Sequence, residues 1–363
     1  MLDEKRTQLD IFSTVIACFL GGFMESISWF KEAKYGLMLH FGLYSMLGGV
    51  YKGERSHNYA EWIQSACAIP NAEMEKLARA FNPIYFDAGE WVRFAKECGM
   101  NYIVITTKHH DGFALFKSNA DSYNCVDYSP FGRDIIKELA EECRKNGLKF
   151  GIYYSQDLDW HEKNGGGYTW EPRGCAGVSW DNSWDFPNKD EKDFNITFEN
   201  KILPQIEEIM TNYGEISLAW FDMPMTLTKE QSEQIYNLVK KHQPSCLVNS
   251  RLGNGKYDYV SLGDNEIPSK VDLECPKEID YNSIEGFKPS PYGFYESACT
   301  LNNSWGYNSW DHNWKSSEQI YENKKKLNAL GINYLINIGP DHLGRFPLEA
   351  QEILKGVKRL EEK

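Results

Sequence analysis

Short apolar runs alternate with amphipathic stretches along most of the chain, and each type of stretch predicts one kind of element. The apolar runs are nearly continuous rather than alternating, which is typical of buried strands in a parallel sheet covered by helices. We predict eight such strands: Lys34–Tyr44, Asn101–Lys108, Lys149–Ser155, Glu215–Asp222, Cys246–Arg251, Asp258–Asp264, Phe294–Leu301 and Asn333–Ile338.

The stretches between the strands predict helices, and several of them carry recognisable end signals. Asp87 is placed as an N-cap, and Gly99 follows the end of the same helix. Thr228 and Gln231 have the spacing of a capping box, in which each side chain binds the other residue's backbone N–H. The predicted helices are Asp87–Cys98, Asp134–Arg144, Thr228–His242, Ser316–Leu330 and Pro347–Leu360.

Eight strand–helix units in 363 residues favour an α/β fold of the (β/α)8 TIM-barrel type with long loops over an open doubly wound sheet. No GxGxxG motif follows the first strand and no P-loop pattern is present, so the common nucleotide-binding signatures are missing. We expect residues 24–363 to form the barrel. Only one helix follows the eighth strand, so no separate C-terminal β-sandwich is expected.

Residues 1–23 are expected to form an apolar extension or helix outside the barrel. The run Ile11–Met24 is too short to span a bilayer, and the charges of the residues before it cancel, unlike those before a typical secretion signal. The nine cysteines are irregularly spaced without a CxxC pair, which is typical of reduced thiols. A cytoplasmic protein is therefore predicted, or a secreted one if residues 1–23 act as a signal.

Charge and aromatic content narrow the range of partners. The formal net charge of −13 disfavours nucleic acids and anionic membranes, which attract basic surfaces. Aromatic residues make up 14% of the chain, and many lie in Gly- and Asn-rich stretches. Rings in loops can stack on flat ligands such as sugars, or they can plug loops onto a barrel. Trp170, Trp180 and Trp184 fit both interpretations.

Polar residues cluster where the predicted strands end, which is where barrel enzymes place their chemistry. They are His40, His109–Asp111, Tyr153–Ser155, Trp220–Asp222, Asn249–Arg251, Asp264–Glu266 and Glu296. Asp222 ends a very apolar run, and Glu266 and Glu296 are candidate partners for it. Two carboxylates across a sugar ring can cleave a glycosidic bond, with retention or inversion set by their separation.

A metal or cofactor is not predicted. His109 and His110 are adjacent, so on a regular strand their side chains point to opposite faces and do not readily share one ion. Neutral imidazoles can instead bind sugar hydroxyls, because each offers one donor and one acceptor. Glu61–Trp62, in the loop after the first strand, suits a ligand with hydroxyls on one face and CH groups on the other.

The motifs at these positions resemble the family-29 glycoside hydrolases, the retaining α-L-fucosidases. The resemblance runs from about Trp29 to Phe346 and is carried by KYGLMLHFGLYS, AEW, TTKHHDGF, FGIYYS, AWFD and NIGPDHLGR. It implies Asp222 as the nucleophile, with Glu266 preferred to Glu296 as the acid/base. It also implies a fucose pocket formed by His40, Glu61, Trp62, His109, His110, Tyr153, Trp220 and Arg251. Trp305 is expected at its rim.

The resemblance further implies an exo-acting enzyme that removes terminal α-L-fucose from a fucosylated oligosaccharide or glycoconjugate, without a cofactor. Two alternatives stay open at this point. One is a non-catalytic fucose-binding barrel, and the other is a metal-dependent hydrolase on the same fold. The fucosyl linkage and the oligomeric state are not predicted.

Overall fold

The predicted apolar runs form parallel strands in the computed structural model, which describes residues 22–56, 59–169, 179–269 and 289–363. Along the chain the strands are β1 (Tyr35–Leu39), β2 (Val50–Tyr51), β3 (Glu54–Arg55), β4 (Tyr102–Lys108), β5 (Lys149–Ser155), β6 (Leu218–Asp222), β7 (Leu247–Val248), β8 (Val260–Ser261), β9 (Tyr295–Thr300) and β10 (Ile332–Ile338). Strands β2 and β3 pair as an antiparallel hairpin inserted after the first barrel strand. The other eight form one sheet in the order β7-β6-β5-β4-β1-β10-β9-β8.

The two end strands of that order meet, and their contact closes the sheet. Asn249 and Tyr259 form a parallel bridge just beyond β7 and just before β8. The backbone N–H groups of Asp258 and Tyr259 both donate to the carbonyl of Val248, at 2.8 and 3.2 Å. The ring of eight parallel strands confirms the predicted (β/α)8 barrel.

The helices include all of those that were predicted. They are α1 (Trp29–Ala33), α2 (Tyr44–Leu47), α3 (Ile63–Ala66), α4 (Asn71–Ala78), α5 (Ala88–Glu97), α6 (Ile135–Asn146), α7 (Phe194–Thr197), α8 (Leu203–Asn212), α9 (Lys229–His242), α10 (Ser317–Ala329) and α11 (Leu348–Glu361). Asp87 and Asp134 cap α5 and α6, and Gly147 ends α6 in the left-handed conformation. The capping boxes of Thr228 with Gln231 and of Ser316 with Gln319 are both present.

Helices α1 to α4, α7 and α8 and the β2–β3 hairpin were not predicted, and strands β7 and β8 are shorter than predicted. Strands β7 and β8 have two residues each, because after β7 the chain turns into a short 3-10 helix, Ser250–Leu252. Pro204 lies in the first turn of α8, where proline is tolerated, and a π-helical segment, Phe198–Ile202, leads into this helix. The shortening of β7 matters for the site because it turns Arg251 inward across the end of the barrel.

The barrel has an inner and an outer apolar layer. Met38, Val104, Leu218 and Leu335 belong to a buried cluster that also includes Trp220. The alternate strand residues face outward and pack under the helices in a second, larger cluster. Burial on both sides explains why the strands are apolar at nearly every position.

Within the described residues, no helix combines the length and apolar character required to cross a bilayer. Most of the predicted N-terminal extension, residues 1–21, lies outside the described residues, as do Trp170 and three of the nine cysteines. The six described cysteines, which include Cys98 and Cys143, are all free.

Asp258 gives a test of the barrel closure. Its fully buried carboxylate accepts from the Val248 N–H (2.8 Å), from the Tyr236 hydroxyl (2.8 Å) and from Lys240 (2.7 Å). Asp258→Ala should therefore lower the free energy of unfolding by about 3 kcal/mol, because it leaves buried donors without an acceptor. Urea unfolding followed by tryptophan fluorescence measures the loss.

The matched control is Glu233→Ala, which breaks the exposed ion pair with Lys256. Its effect should stay below about 1 kcal/mol, as for most surface ion pairs. Equal losses in the two variants would show that Asp258 does not secure the closure.

Candidate active site

A cavity of about 230 Å³ opens at the carboxyl ends of the barrel strands. Liquid water occupies roughly 30 Å³ per molecule, so the cavity corresponds to about eight waters, which suits one monosaccharide. Its lining residues come from β1, β5 and β6 and from the loops that follow the strands. They are Met38, His40, Tyr59, Glu61, Trp62, His109, Tyr153, Trp180, Trp220, Asp222, Met223, Arg251, Asp264 and Trp305.

One guanidinium group joins two carboxylates in this pocket. Arg251 donates through Nη1 to Asp222 Oδ1 at 3.1 Å and through Nη2 to Asp264 Oδ1 at 2.5 Å. Asp222 Oδ2 also accepts from the Tyr153 hydroxyl at 2.9 Å. Burial raises the pKa of Asp222, with a further increase from the charge of Asp264, while Arg251 opposes this increase. Arg251 and Tyr153 therefore favour the ionised form of Asp222.

Trp220 supports both groups that bind Asp222. Its ring stacks on Tyr153, with centroids 5.4 Å apart and planes at 19°, and the Arg251 guanidinium lies 4.6 Å from its ring centroid. The indole Nε1 donates to Glu296 Oε1 at 3.0 Å, and the Tyr102 hydroxyl donates to Glu296 Oε2 at 2.7 Å. Burial raises the pKa of Glu296 to about 7. Glu296 thus acts on the pocket through the orientation of Trp220.

Two histidines of the pocket region are arranged as acceptors. Asn337 Nδ2 donates to the Trp305 carbonyl, so its Oδ1 is free to accept from His40 Nδ1 at 2.7 Å. Ser155 donates to the Leu158 carbonyl and accepts from His110 Nδ1, also at 2.7 Å. In both rings the proton is assigned to Nδ1, which leaves a lone pair on Nε2.

Burial keeps these imidazoles uncharged. It lowers the pKa of His40 to about 4, and it lowers the pKa of His109 and His110 well below the ordinary value. The neighbouring Lys108 ammonium lowers the pKa of both His109 and His110 further. A neutral imidazole can accept a hydrogen bond from a sugar hydroxyl, whereas an imidazolium can only donate.

Glu61 and Trp62 form the wall next to the histidines. Glu61 Oε2 accepts from the Gly306 N–H at 2.8 Å, but its Oε1 has no partner among the described residues. Burial raises the pKa of this carboxyl to about 7. Trp62 packs edge-on against His110 and Trp180, and the ring of Trp305 lies 5.2 Å from that of His40. The unpartnered oxygen is available to a ligand hydroxyl.

The structure brings together nine of the twelve predicted site residues: His40, Glu61, Trp62, His109, Tyr153, Trp220, Asp222, Arg251 and Trp305. The other three do not line the pocket. His110 lies behind Trp62, and Glu296 is fully buried beneath Trp220. Glu266 Oε2 accepts from the Gly263 N–H of its own turn at 2.9 Å.

Asp264 also lines the pocket, although it was not among the predicted site residues. The available signal is its position, because Asp264 is the first of the three polar residues that end the predicted sixth strand. Trp180 also lines the pocket, whereas Trp184 packs against Trp160. Met223 lines it with φ at +57°, a strained backbone conformation of the kind that concentrates at functional sites.

A second group of polar residues lies outside the pocket. Atoms of Asp121, His161 and Glu162 come within 4.8 Å of one another, which is a spacing that suits a metal ion. The Lys201 ammonium already contacts Asp121 at 2.6 Å and Glu162 at 3.2 Å, and it also binds buried Asp159 at 3.0 Å. The lysine thus supplies the positive charge that these carboxylates require.

A (β/α)8 barrel with paired carboxylates in a monosaccharide-sized pocket is typical of glycoside hydrolases. The family model described as Alpha-L-fucosidase matches residues 24–360. The chain therefore belongs to the α-L-fucosidase family, and the predicted family is confirmed.

Solved structures of related proteins support this assignment. Unliganded α-L-fucosidase AlfC from Lactobacillus casei is 58% identical, with a TM-score of 0.86, and the match covers 93% of this chain and 98% of AlfC. The α-L-fucosidase from Vibrio sp. strain EJY3 is 31% identical, with a TM-score of 0.82, over 93% of this chain and 55% of that one. AlfC structures include complexes with α-L-fucose, with 4-nitrophenyl α-L-fucopyranoside and with Fucα(1,6)GlcNAc.

The curated relatives are longer than this chain. A putative α-L-fucosidase of Caenorhabditis elegans is 26% identical over 92% of this chain and 64% of its own length. The human plasma α-L-fucosidase is 24% identical over 90% of this chain and 66% of its own length. The chain thus spans about two-thirds of the length of these relatives.

The protonation state of His40 can be tested directly. Because burial lowers its pKa to about 4, its ring should stay neutral above about pH 5, with the proton on Nδ1. Two-dimensional ¹H–¹⁵N NMR of the imidazoles between pH 5 and 8 should show this tautomer without titration. His40→Gln assigns the signal by its loss, and a midpoint near pH 6.5 would contradict the prediction.

Proposed function

We propose that this chain is an exo-acting, retaining α-L-fucosidase that removes terminal α-L-fucose from glycans. The observation that carries the proposal is the Arg251 guanidinium, which binds Asp222 and Asp264 side by side within a monosaccharide-sized pocket. Retaining hydrolysis requires two carboxyl groups about 5–5.5 Å apart, closer together than in inverting enzymes. Two carboxylates that share one guanidinium are consistent with the shorter separation.

The pocket offers what a deoxysugar requires. His40 Nε2 and Glu61 Oε1 are available to bind hydroxyl groups, and Trp62 and Trp305 provide apolar surface for the methyl group and the CH faces of fucose. Similarity to AlfC, which has been solved with α-L-fucose, supports this assignment. Since the cavity suits a single sugar, we infer cleavage of terminal residues only.

Asp222 is the proposed nucleophile. It attacks the anomeric carbon and forms a fucosyl-enzyme, while Tyr153 and Arg251 hold its two oxygens in place. Once the ester forms, Asp222 loses its negative charge. Asp264 Oδ1 keeps its hydrogen bond from Arg251 Nη2 in the second step.

Asp264 is the proposed acid/base, in place of the predicted Glu266. Its side chain is 40% exposed at the mouth of the pocket, where the leaving group must depart. When a substrate is bound, Asp264 is placed to donate a proton to the departing oxygen. After the leaving group departs, ionised Asp264 is placed to activate water.

Glu296 is proposed as a positioning residue. Its two oxygens bind Trp220 and Tyr102, and it does not line the pocket, so it can act on catalysis only through the indole. Trp220 in turn supports both Tyr153 and Arg251.

The proposed substrate is a fucosylated oligosaccharide or glycoconjugate, and fucose linked to N-acetylglucosamine is supported by the AlfC complex with Fucα(1,6)GlcNAc.

A cytoplasmic location is proposed on the basis of the free cysteines. Burial raises the pKa of Cys98 and Cys143 to about 12, which keeps both as unreactive thiols.

The nucleophile is tested with Asp222→Ala and 4-nitrophenyl α-L-fucopyranoside. Loss of a nucleophile should lower kcat by roughly 10⁴-fold, because no covalent route remains. Asp190→Ala, in an exposed 3-10 turn, serves as the control and should retain full activity. Turnover within tenfold of the unmodified chain would contradict the role of Asp222.

The acid/base is tested by comparing Asp264→Ala, Glu266→Ala and Glu296→Ala. Azide can replace water as the nucleophile without needing a general base, so it should accelerate only the variant that lacks the true acid/base. We expect rescue of Asp264→Ala, with α-fucosyl azide as the product detected by NMR, because azide attacks the β-linked fucosyl-enzyme with inversion. Rescue of Glu266→Ala alone would restore the assignment made from the sequence.

A further inference from the structure

A second, larger groove lies on the same face of the barrel as the active pocket. Its volume is about 820 Å³, more than three times that of the pocket. Its walls come from three segments: residues 84–94 at the start of α5, residues 307–314 after β9, and residues 341–351 between β10 and α11. In a (β/α)8 barrel, segments that follow strands and begin helices lie on the catalytic face.

Residues 305–307 separate the groove from the pocket. Trp305 lines the pocket and Tyr307 lines the groove. A Cβ at Gly339 would lie 2.4 Å from the backbone nitrogen of Tyr307, and one at Gly306 would lie 2.8 Å from the ring of Tyr44. These glycines permit close backbone contact, so a thin and tightly packed wall divides the two cavities.

Most of the large apolar side chains that are exposed in the described residues line this groove. Five large apolar side chains are exposed in the described residues, and three of them line this groove: Tyr85 (55%), Ile84 (59%) and Leu348 (69%). Half-buried Tyr307 and Trp314 add further aromatic surface. Exposed apolar patches of this kind mark interaction sites.

The groove is also preformed. The Arg345 guanidinium lies 5.4 Å from the ring centroid of Tyr85, and Asp341 holds it through Nε at 2.9 Å and Nη2 at 2.8 Å. The Tyr85 N–H donates to the Leu343 carbonyl at 2.9 Å. Trp91 Nε1 donates to the Gly344 carbonyl at 3.1 Å. Ligand binding therefore requires little further loss of conformational entropy in the walls.

The mixture of groups favours a carbohydrate over another protein subunit. The cores of protein interfaces are depleted in acidic residues, whereas Glu90 and Glu349 stand beside the aromatic rings here. Rings that face the apolar side of a sugar, next to charged groups that bind its hydroxyls, are suited to oligosaccharides. Because the groove lies beside the pocket, one branched glycan can place its fucose in the pocket and another branch in the groove.

We propose that this groove binds a neutral oligosaccharide portion of the substrate glycan, beyond the sugar that carries the fucose. The inference rests on the proposed fucosidase function, because only a glycan substrate would occupy pocket and groove together. It predicts that the groove lowers KM for fucosylated oligosaccharides, which simple aryl fucosides do not share, and that it leaves kcat unchanged.

The test is Tyr85→Ala, assayed with a fucosylated N-glycan and with 4-nitrophenyl α-L-fucopyranoside. KM for the glycan should rise roughly 3- to 10-fold, which is the usual strength of a lost aromatic contact, while kcat is unchanged. The aryl fucoside has no glycan to occupy the groove, so both of its constants should be unchanged. Leu348→Ser, on another wall, should shift the glycan KM in the same direction.

Ile196→Ala is the matched control, because Ile196 is 48% exposed and does not line the groove. Direct binding of the same N-glycan without fucose is measured by calorimetry, and Tyr85→Ala should weaken it by a similar factor. Unchanged glycan KM and unchanged binding in both groove variants would overturn the proposal. A change of oligomeric state with unchanged glycan binding would also overturn it, in favour of a second copy of the chain.

These results can be separated from a failure of the fucosidase assignment. If the unmodified chain did not cleave the aryl fucoside, the proposed function would fail. The calorimetric binding of the fucose-free glycan would still report on the groove.

Discussion

The pocket depends on one constraint: two carboxylates must lie close together in a buried site, and one guanidinium must hold them there. Without a cation, burial and the neighbouring charge of Asp264 would oppose the ionisation of Asp222, because each raises its pKa. Arg251 resolves this by donating hydrogen bonds from two different nitrogens, one to Asp222 and one to Asp264. An arginine suits this task better than a lysine, because its planar fork offers several donors in fixed directions.

The barrel positions that guanidinium through short and irregular strands. Strand β7 ends at Val248, and the 3-10 turn that follows carries Arg251 across the strand ends. Asp258 joins β7 to the segment before β8 through the Val248 N–H. Trp220, held by Glu296, then provides the flat surface over which the guanidinium lies. Barrel closure and the geometry of the site therefore have the same structural origin.

The fold was predictable because its signals are local and repeated. Apolar runs predicted all eight barrel strands, and the capping residues Asp87, Asp134, Thr228 and Ser316 lie where helices begin. The acid/base was not predictable in the same way. Asp264 and Glu266 flank Asn265, whose φ of +58° reverses the chain, so only three-dimensional turn geometry shows which carboxylate faces the pocket. Glu296 could have been set aside, since it lies within its predicted strand rather than at its end.

Burial determines the charge that the pocket presents to a sugar. Desolvation keeps His40, His109 and His110 neutral and leaves Glu61 near its midpoint at neutral pH, while Arg251 and Tyr153 favour the ionised form of Asp222. The transition state of glycoside hydrolysis resembles an oxocarbenium ion, and a negative, water-poor site stabilises such a cation. Charged imidazoles would oppose it, so the apolar packing around the histidines contributes directly to the proposed catalysis.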